Sequence, residues 1–383
     1  MTALDLDAVA LDPETRIIVC CGSGGVGKTT SAAAIALRAA EAGRKVVVLT
    51  IDPARRLAQS MGLSELDNTP REVAGVDTAK GGELHAMMLD MKRTFDEIVS
   101  AHSTGERAEQ IFANPFYQSL SSSFAGTQEY MAMEKLSQLR AQDEWELIVV
   151  DTPPSRSALD FLDAPQRLGR FLDGRMLRLL LAPARAGGRA YLKVFTASFS
   201  VFTKVLTRIL GTEVLRDLSA FVGALETMFG GFRERAQMTY ELLKTPGTAF
   251  VVVAAPEPAA LREASYVVER LSAESMPLAG MVLNRMRSSG APRLSAERAE
   301  VGADALDEAG EHALTSAVLR VHAARAQLAV RDRRMRDRFT SAHPDVPLVE
   351  VPALSTDVHD LEGLRRVAES MTGAAPAAPR RTS

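Results

Sequence analysis

Apolar positions gather in short runs at residues 17–21, 46–51, 147–150 and 250–255. Runs of that length, rich in Val and Ile and without polar alternation, predict strands covered on both faces in a parallel sheet. Weaker runs at 83–89, 281–283 and 347–351 add three more strands. The Ala-rich stretch 31–42 predicts a helix between the first two runs, stopped by Gly43, with Arg44 and Lys45 suited to its last turn and dipole. Strand, helix and strand in succession make a βαβ unit.

Residues 91–142 read as mainly helical. Between 164 and 244 the apolar residues recur every three or four positions, as in Leu192, Phe195, Phe199, Phe202, Val205 and Ile209, and again in Leu218, Phe221, Val222, Leu225, Phe229 and Phe232. Such stripes either pack on one another as a helical core or form a groove for an apolar partner. Residues 288–340 are charged and helical. Arg331, Arg333, Arg334, Arg336 and Arg338 interleave there with Asp332 and Asp337, the pattern of a solvated face. A short helix is expected at 361–371, and flexible termini at 1–14 and 373–383.

The first strand runs into Gly22-Ser23-Gly24-Gly25-Val26-Gly27-Lys28-Thr29-Thr30, which fits the G-x-x-x-x-G-K-[ST] phosphate-loop spacing between a strand and a helix. The glycines let the backbone turn its N–H groups toward anionic oxygens, and the following helix N-terminus adds to that field. Residues 22–30 are thus the expected cradle for the phosphates of a nucleotide. Lys28 would meet the β- and γ-phosphates, and the Thr29 hydroxyl would hold Mg²⁺. Four apolar residues, 147–150, lead into Asp151, which matches a strand end that places a carboxylate near that metal, through water. No second phosphate loop and no internal repeat occurs. The expected fold is one α/β P-loop NTPase domain, residues 15–372. Its mostly parallel, doubly wound sheet carries helical insertions at 91–142 and 164–244 and the charged helical segment 288–340.

Composition narrows the function classes. The chain has 383 residues, and 45 Lys and Arg against 48 Asp and Glu leave a net charge of −3, with no basic field for nucleic acid. The N-terminus lacks a signal-peptide pattern, and no uncharged apolar run reaches the roughly 18 residues that span a membrane. Cys20 and Cys21, the only cysteines, adjoin in the first strand and build neither a disulfide framework nor a metal site by themselves. A cytoplasmic address follows, with peripheral membrane attachment left open.

These stretches together resemble the ArsA-type ATPases, the family of the arsenite-pump ATPase and of the eukaryotic factor that targets tail-anchored membrane proteins. The loop at 22–30 is similar to the family's glycine-rich loop, Ile51-Asp52-Pro53-Ala54 to its first switch and Asp151-Thr152-Pro153-Pro154 to its second. Leu84-His85-Ala86-Met87 is similar to its short strand after the first switch. The resemblance implies that Asp52 activates the attacking water, that Asn284 recognises adenine and that Pro352 lies in the adenine-side loop. It also implies a dimer whose switch loops couple Mg²⁺-dependent ATP hydrolysis to the helical insertion, which would hold a hydrophobic client segment or serve a membrane complex.

Departures from the family pattern bear on the partner. The thiols that bind metalloids and the zinc-binding Cys pair are both absent, since both cysteines lie in the first strand. Ser23 stands where the family usually has a lysine that reaches across the dimer to the partner's phosphates. A serine has neither that charge nor that length. Either a paralogous subunit in a heterodimer supplies the missing lysine, or Ser23 is a tolerated loop residue and Arg55 or Arg56 supplies charge. The alternative to an ATPase engine is a regulatory nucleotide-binding subunit with weak or no hydrolysis.

Overall fold

A computed structural model describes residues 2–52, 56–103, 105–115, 117–118, 127–153, 235, 237–310 and 312–372. They belong to two compact units, one of 1–88, 142–159 and 243–383, the other of 89–141 and 160–242.

The first unit is built on an eight-stranded sheet. Its strands are β1 (Ile17–Cys21), β2 (Lys45–Thr50), β3 (Arg71–Glu72), β4 (Glu83–Met88), β5 (Leu147–Asp151), β6 (Thr248–Ala254), β7 (Leu278–Met286) and β8 (Leu348–Pro352). Spatial order is β3-β4-β2-β5-β1-β6-β7-β8, parallel throughout except for the two-residue β3. This is the expected α/β sheet. Central strands β1, β5 and β6 are buried at every residue, as unalternating apolar runs require.

Helix α1 (Leu6–Ala10) precedes the sheet, and α2 (Lys28–Glu41) crosses from β1 to β2. Ala32, Ala33, Ala36, Ala39 and Ala40 of α2 are wholly buried, so small side chains bring this helix close to the sheet. The amphipathic helix near the C-terminus, Leu361–Met371, covers α2 with Leu364, Val367, Ala368 and Met371. Its N-cap Asp360 accepts from Gly363 N (2.7 Å).

Residues 1–14 are not the loose arm expected. Leu4, Leu6 and Ala10 are buried in the sheet's core cluster, and Leu4 N donates to Leu348 O (3.1 Å). The acids have local partners. Asp5 caps α1, and Asp7 holds the Arg38 guanidinium through two bonds of 3.0 and 2.7 Å, which raises the Arg38 pKa. Apolar positions within an acidic stretch thus anchor the segment while its carboxylates cap and pair. Residues 373–383 lie outside the described residues.

Arg44 also departs from expectation. It follows α2 and is buried, where its guanidinium donates to the carbonyls of Ala10, Asp12, Thr15 and Glu146 at 2.7–3.0 Å. One side chain therefore closes four backbone acceptors from two segments, 10–15 and the residue before β5. The charged segment further on forms two helices, Ala296–Ala309 and Ala313–Ala342. It is not wholly a solvated face, because Asp332 is completely buried: it accepts from Arg287 N (3.1 Å) and stands 3.6 Å from that residue's guanidinium.

Helices Met91–His102, Gly105–Phe112 and Thr127–Ala141 belong to the second unit. Phe95 and Tyr117 meet edge to face, Tyr117 OH donates to Asp96 (2.6 Å), and buried Glu134 pairs with Arg235 at 3.0 Å. The apolar stripes expected between Leu192 and Phe232 lie outside the described residues.

Arg44→Met removes four charge-assisted bonds and leaves buried carbonyls unpaired, so it should lower the unfolding free energy by about 3 kcal/mol or more. Arg38→Met, which opens a largely exposed ion pair, should cost under about 1 kcal/mol. Urea midpoints of the two variants check the difference.

Candidate nucleotide-binding and active site

The site lies at the C-terminal edge of the sheet, where β1 ends and α2 begins. Gly22 (φ 150°) passes so close to β6 that a Cβ there would overlap the Val253 carbonyl oxygen, and Gly27 (φ 98°) leaves no room for one beside the Asn284 amide. Both positions require glycine for close approach as well as for backbone angle. Gly24 and Gly25 are exposed, Val26 is buried, and Thr29 and Thr30 are half-buried in the first turn of α2.

Lys28 is 7 % exposed and its Nζ donates to Ser23 O (2.9 Å), so the ammonium is folded back over the loop. Burial lowers its pKa, opposed by the fields of Asp151 and Asp52. Ser23 is itself buried.

Asp151 is the polar centre. It ends β5 at zero exposure, and Oδ2 accepts from Thr29 Oγ1 (2.7 Å) and from Thr50 Oγ1 (3.0 Å), the last residue of β2. Burial raises its pKa from the ordinary 3.8 to about 6, against the opposing effects of Thr29, Thr50 and Lys28. Its other oxygen, Oδ1, is buried and has no hydrogen-bond partner. A hard cation, or water bound to one, is the chemistry that such an orphaned carboxylate oxygen accommodates. The expected metal residues Thr29 and Asp151 are thus together, with a donor set that fits.

Asp52 lies just past β2, half-buried, and its field reaches both Lys28 and Asp151. Ile51 N donates to Asp151 O (3.0 Å), and Thr152 Oγ1 to Cys20 O (2.9 Å), so both switch-like loops leave from strand ends tied to this carboxylate strand. Pro53, Ala54, Arg55 and Pro154, like the Arg56 side chain, lie outside the described residues.

On the other side of the loop, Asn284 Nδ2 donates to Val26 O (2.8 Å), while its Oδ1 accepts from Arg285 N (2.9 Å). Arg285 takes a positive φ of 61°, and Pro352 is in register with Met286, so Asn284 and Pro352 occupy neighbouring strands at one edge. The structure therefore gathers residues 22–30, Asp151 and Asn284 into one cradle, with Asp52 and Pro352 at its borders.

Three contacts escaped the sequence reading. Thr50 donates to Asp151, Thr152 ties the second loop to β1, and Asp332 fixes the backbone three residues after Asn284. A polar residue closing an apolar run was the available signal for Thr50. The cysteines are buried, with Cys20 raised in pKa by burial and Cys21 raised to about 12, and among the described residues no group of three or more His, Cys, Asp or Glu is placed to hold a metal.

The raised pKa of Asp151 has a consequence for stability. Its favourable contribution is complete below pH ~4 and is lost as pH rises through about 6, because the folded state then holds an ionised, desolvated carboxylate. Asp151→Asn should therefore stabilise the nucleotide-free chain at pH 7.5, by up to about 3 kcal/mol, and much less at pH 5. Denaturant unfolding at the two pH values checks this.

A family model described as "Anion-transporting ATPase" matches residues 15–308. The chain is 26% identical over 274 residues to a protein named ATPase GET3 of Podospora anserina, covering 71% of this chain and 73% of that protein. It is 25% identical to ATPase GET3B of Arabidopsis thaliana over 74% of this chain and 67% of that protein. It is 32% identical to a putative arsenical pump-driving ATPase of Halobacterium salinarum, over 49% of this chain and 30% of that protein. With the phosphate cradle, the parallel sheet and a family match over most of its length, the chain belongs to the anion-transporting ATPase family, and its activity is that of an ATPase.

Proposed function

We propose that the chain is a Mg²⁺-dependent ATPase whose nucleotide state, read by the loops after β2 and β5, drives a helical unit that binds a hydrophobic client or serves a membrane complex. The observation that carries the metal dependence is the buried Asp151 with one oxygen held by Thr29 and Thr50 and the other without a partner. Mg²⁺, when bound with ATP, would neutralise charge between the β- and γ-phosphates. Thr29 and Asp151 would hold it, Asp151 through water.

The chain's own groups supply the rest. Lys28 leaves the Ser23 carbonyl to meet the phosphates, and its partial desolvation strengthens that attraction. The N–H groups of residues 22–30 bind the phosphate oxygens. Asp52 orients the attacking water and takes its proton. Asn284, with Pro352 beside it, holds adenine. Loss of the γ-phosphate releases the loops that begin at Asp52 and Thr152, which is how hydrolysis reaches the helical unit.

Client and partner are argued from the sequence. The apolar stripes at 192–232 suit a hydrophobic helix, and the relatives named GET3 and arsenical pump-driving ATPase point to membrane-linked work. The chain acts as a dimer at the cytoplasmic side. Among the described residues no helix is long and apolar enough to cross a membrane.

A second reading rests on Ser23. With serine in place of a lysine that reaches the partner's phosphates, the chain works in a heterodimer or as a regulatory subunit with little hydrolysis of its own.

Lys28→Ala should abolish ATP binding. Asp52→Asn should keep ATP affinity within a few-fold while phosphate release falls by about 100-fold or more. If Asp52→Asn hydrolyses ATP like the parent, the assigned water-activating role is wrong. Full turnover by the purified chain alone would rule out the need for a lysine-bearing partner.

A further inference from the structure

Thr50 closes an apolar strand with a buried hydroxyl. It is the last residue of β2 and is 1 % exposed. Two and four positions before it, Val48 and Val46 belong to the core cluster that holds the alanines of α2, as Val149 and Leu147 do on β5. Alternation along the strands carries Thr50 and Asp151 to that same face, and the two are register partners across the parallel pair of β2 and β5. After Val46 and Val48 the position suits another apolar β-branched residue, and valine has the shape of threonine. A buried hydroxyl there is unfavourable unless it is bonded.

The bond it makes is to the Asp151 carboxylate, from Oγ1 to Oδ2 at 3.0 Å. Asp52 O is a second acceptor within reach, at 3.4 Å. A hydroxyl has one proton, and the shorter contact, to a carboxylate, is the stronger claim on it.

The other donor to Oδ2 comes from a different element. Thr29 Oγ1, in the first turn of α2, approaches at 2.7 Å. The end torsion of an aspartate is broad and nearly two-fold, so a single donor leaves its two oxygens able to exchange places. Donors from β2 and from α2 on the same oxygen fix which one is left over. That oxygen, Oδ1, is buried and has no hydrogen-bond partner. The two threonines differ in task. Thr29 is itself expected to hold Mg²⁺, whereas Thr50 stands one strand away with the carboxylate as its nearest partner.

We propose that Thr50 is a positioning residue for metal uptake: its hydroxyl orients the Asp151 carboxylate so that Oδ1 is the oxygen presented to a divalent cation, without itself touching cation or nucleotide. The inference rests on the Mg²⁺ reading given above. Groups that hold a metal-site carboxylate in this way contribute roughly ten- to a hundred-fold to metal affinity. The role is separate from that of Asp52, because Thr50 acts on how readily the metal is held and not on the attacking water.

Thr50→Val in the full chain keeps the shape and removes only the hydroxyl. Affinity for a fluorescent ADP analogue is measured with Mg²⁺ and with EDTA. The gain that Mg²⁺ confers should fall about ten-fold or more, while affinity in EDTA stays close to that of the parent. Thr50→Ser, which restores the hydroxyl, should restore the gain. In hydrolysis, the Mg²⁺ concentration at half-maximal turnover should rise by a similar factor, and turnover at saturating Mg²⁺ should return to near the parent's. Thr50→Cys, with its weak S–H donor, supplies the same comparison should the valine variant not fold. An unchanged gain in Thr50→Val would overturn the inference. So would an equal loss with and without Mg²⁺, which is what a role in packing alone gives. A parent chain that gains nothing from Mg²⁺ would remove the metal-site reading itself, and this inference with it.

Discussion

The site depends on one buried carboxylate. Asp151 sits at the end of a central strand, without solvent, held on one oxygen by hydroxyls from the neighbouring strand and from the first turn of the phosphate-loop helix. Three elements, β5, β2 and α2, thus converge on a single acceptor. Burial alone favours the neutral acid, and the surrounding donors and Lys28 favour the anion; burial prevails, with a pKa of about 6. A cation at the free oxygen would tip that balance. An ionised, desolvated carboxylate is costly by itself, and a bound cation would offset that cost, which is the usual relation between a functional site and the stability of its scaffold.

The rest of the fold holds this point in place. Unbroken apolar strands and a close-packed alanine helix set the sheet edge rigidly, and Gly22 and Gly27 let the loop lie against β6 and Asn284. Arg44 and the N-terminal helix close the opposite end of the sheet. At the nucleotide edge, Asp332 of the helix Ala313–Ala342 holds the backbone after Asn284.

Much of this was legible in the sequence because the signals are local. The glycine loop, the apolar run ending in Asp151, and the helix at 361–371 each follow from spacing within a dozen residues. Thr50, Arg44 and Asp332 were not legible in the same way. Each acts on a partner brought near only by the fold: Thr50 on Asp151, Arg44 on carbonyls as distant as Glu146, Asp332 on Arg287. Two further readings failed for similar reasons. The N-terminus read as a loose arm, yet its carboxylates cap a helix and pair with Arg38 while Leu4 and Leu6 are buried. Asp332 read as one charge among many, yet it is the one that the sheet edge buries.

The central claim, that burial raises the Asp151 pKa to about 6 and that a metal-bound nucleotide would lower it again, is tested most directly by counting protons. Calorimetric titration of the chain with Mg·ATP at pH 6, in two buffers of different ionisation enthalpy, gives the number released. The account predicts release of a substantial fraction of one proton beyond that of Mg·ATP itself, fading toward pH 8. Binding without any release at pH 6 would contradict it.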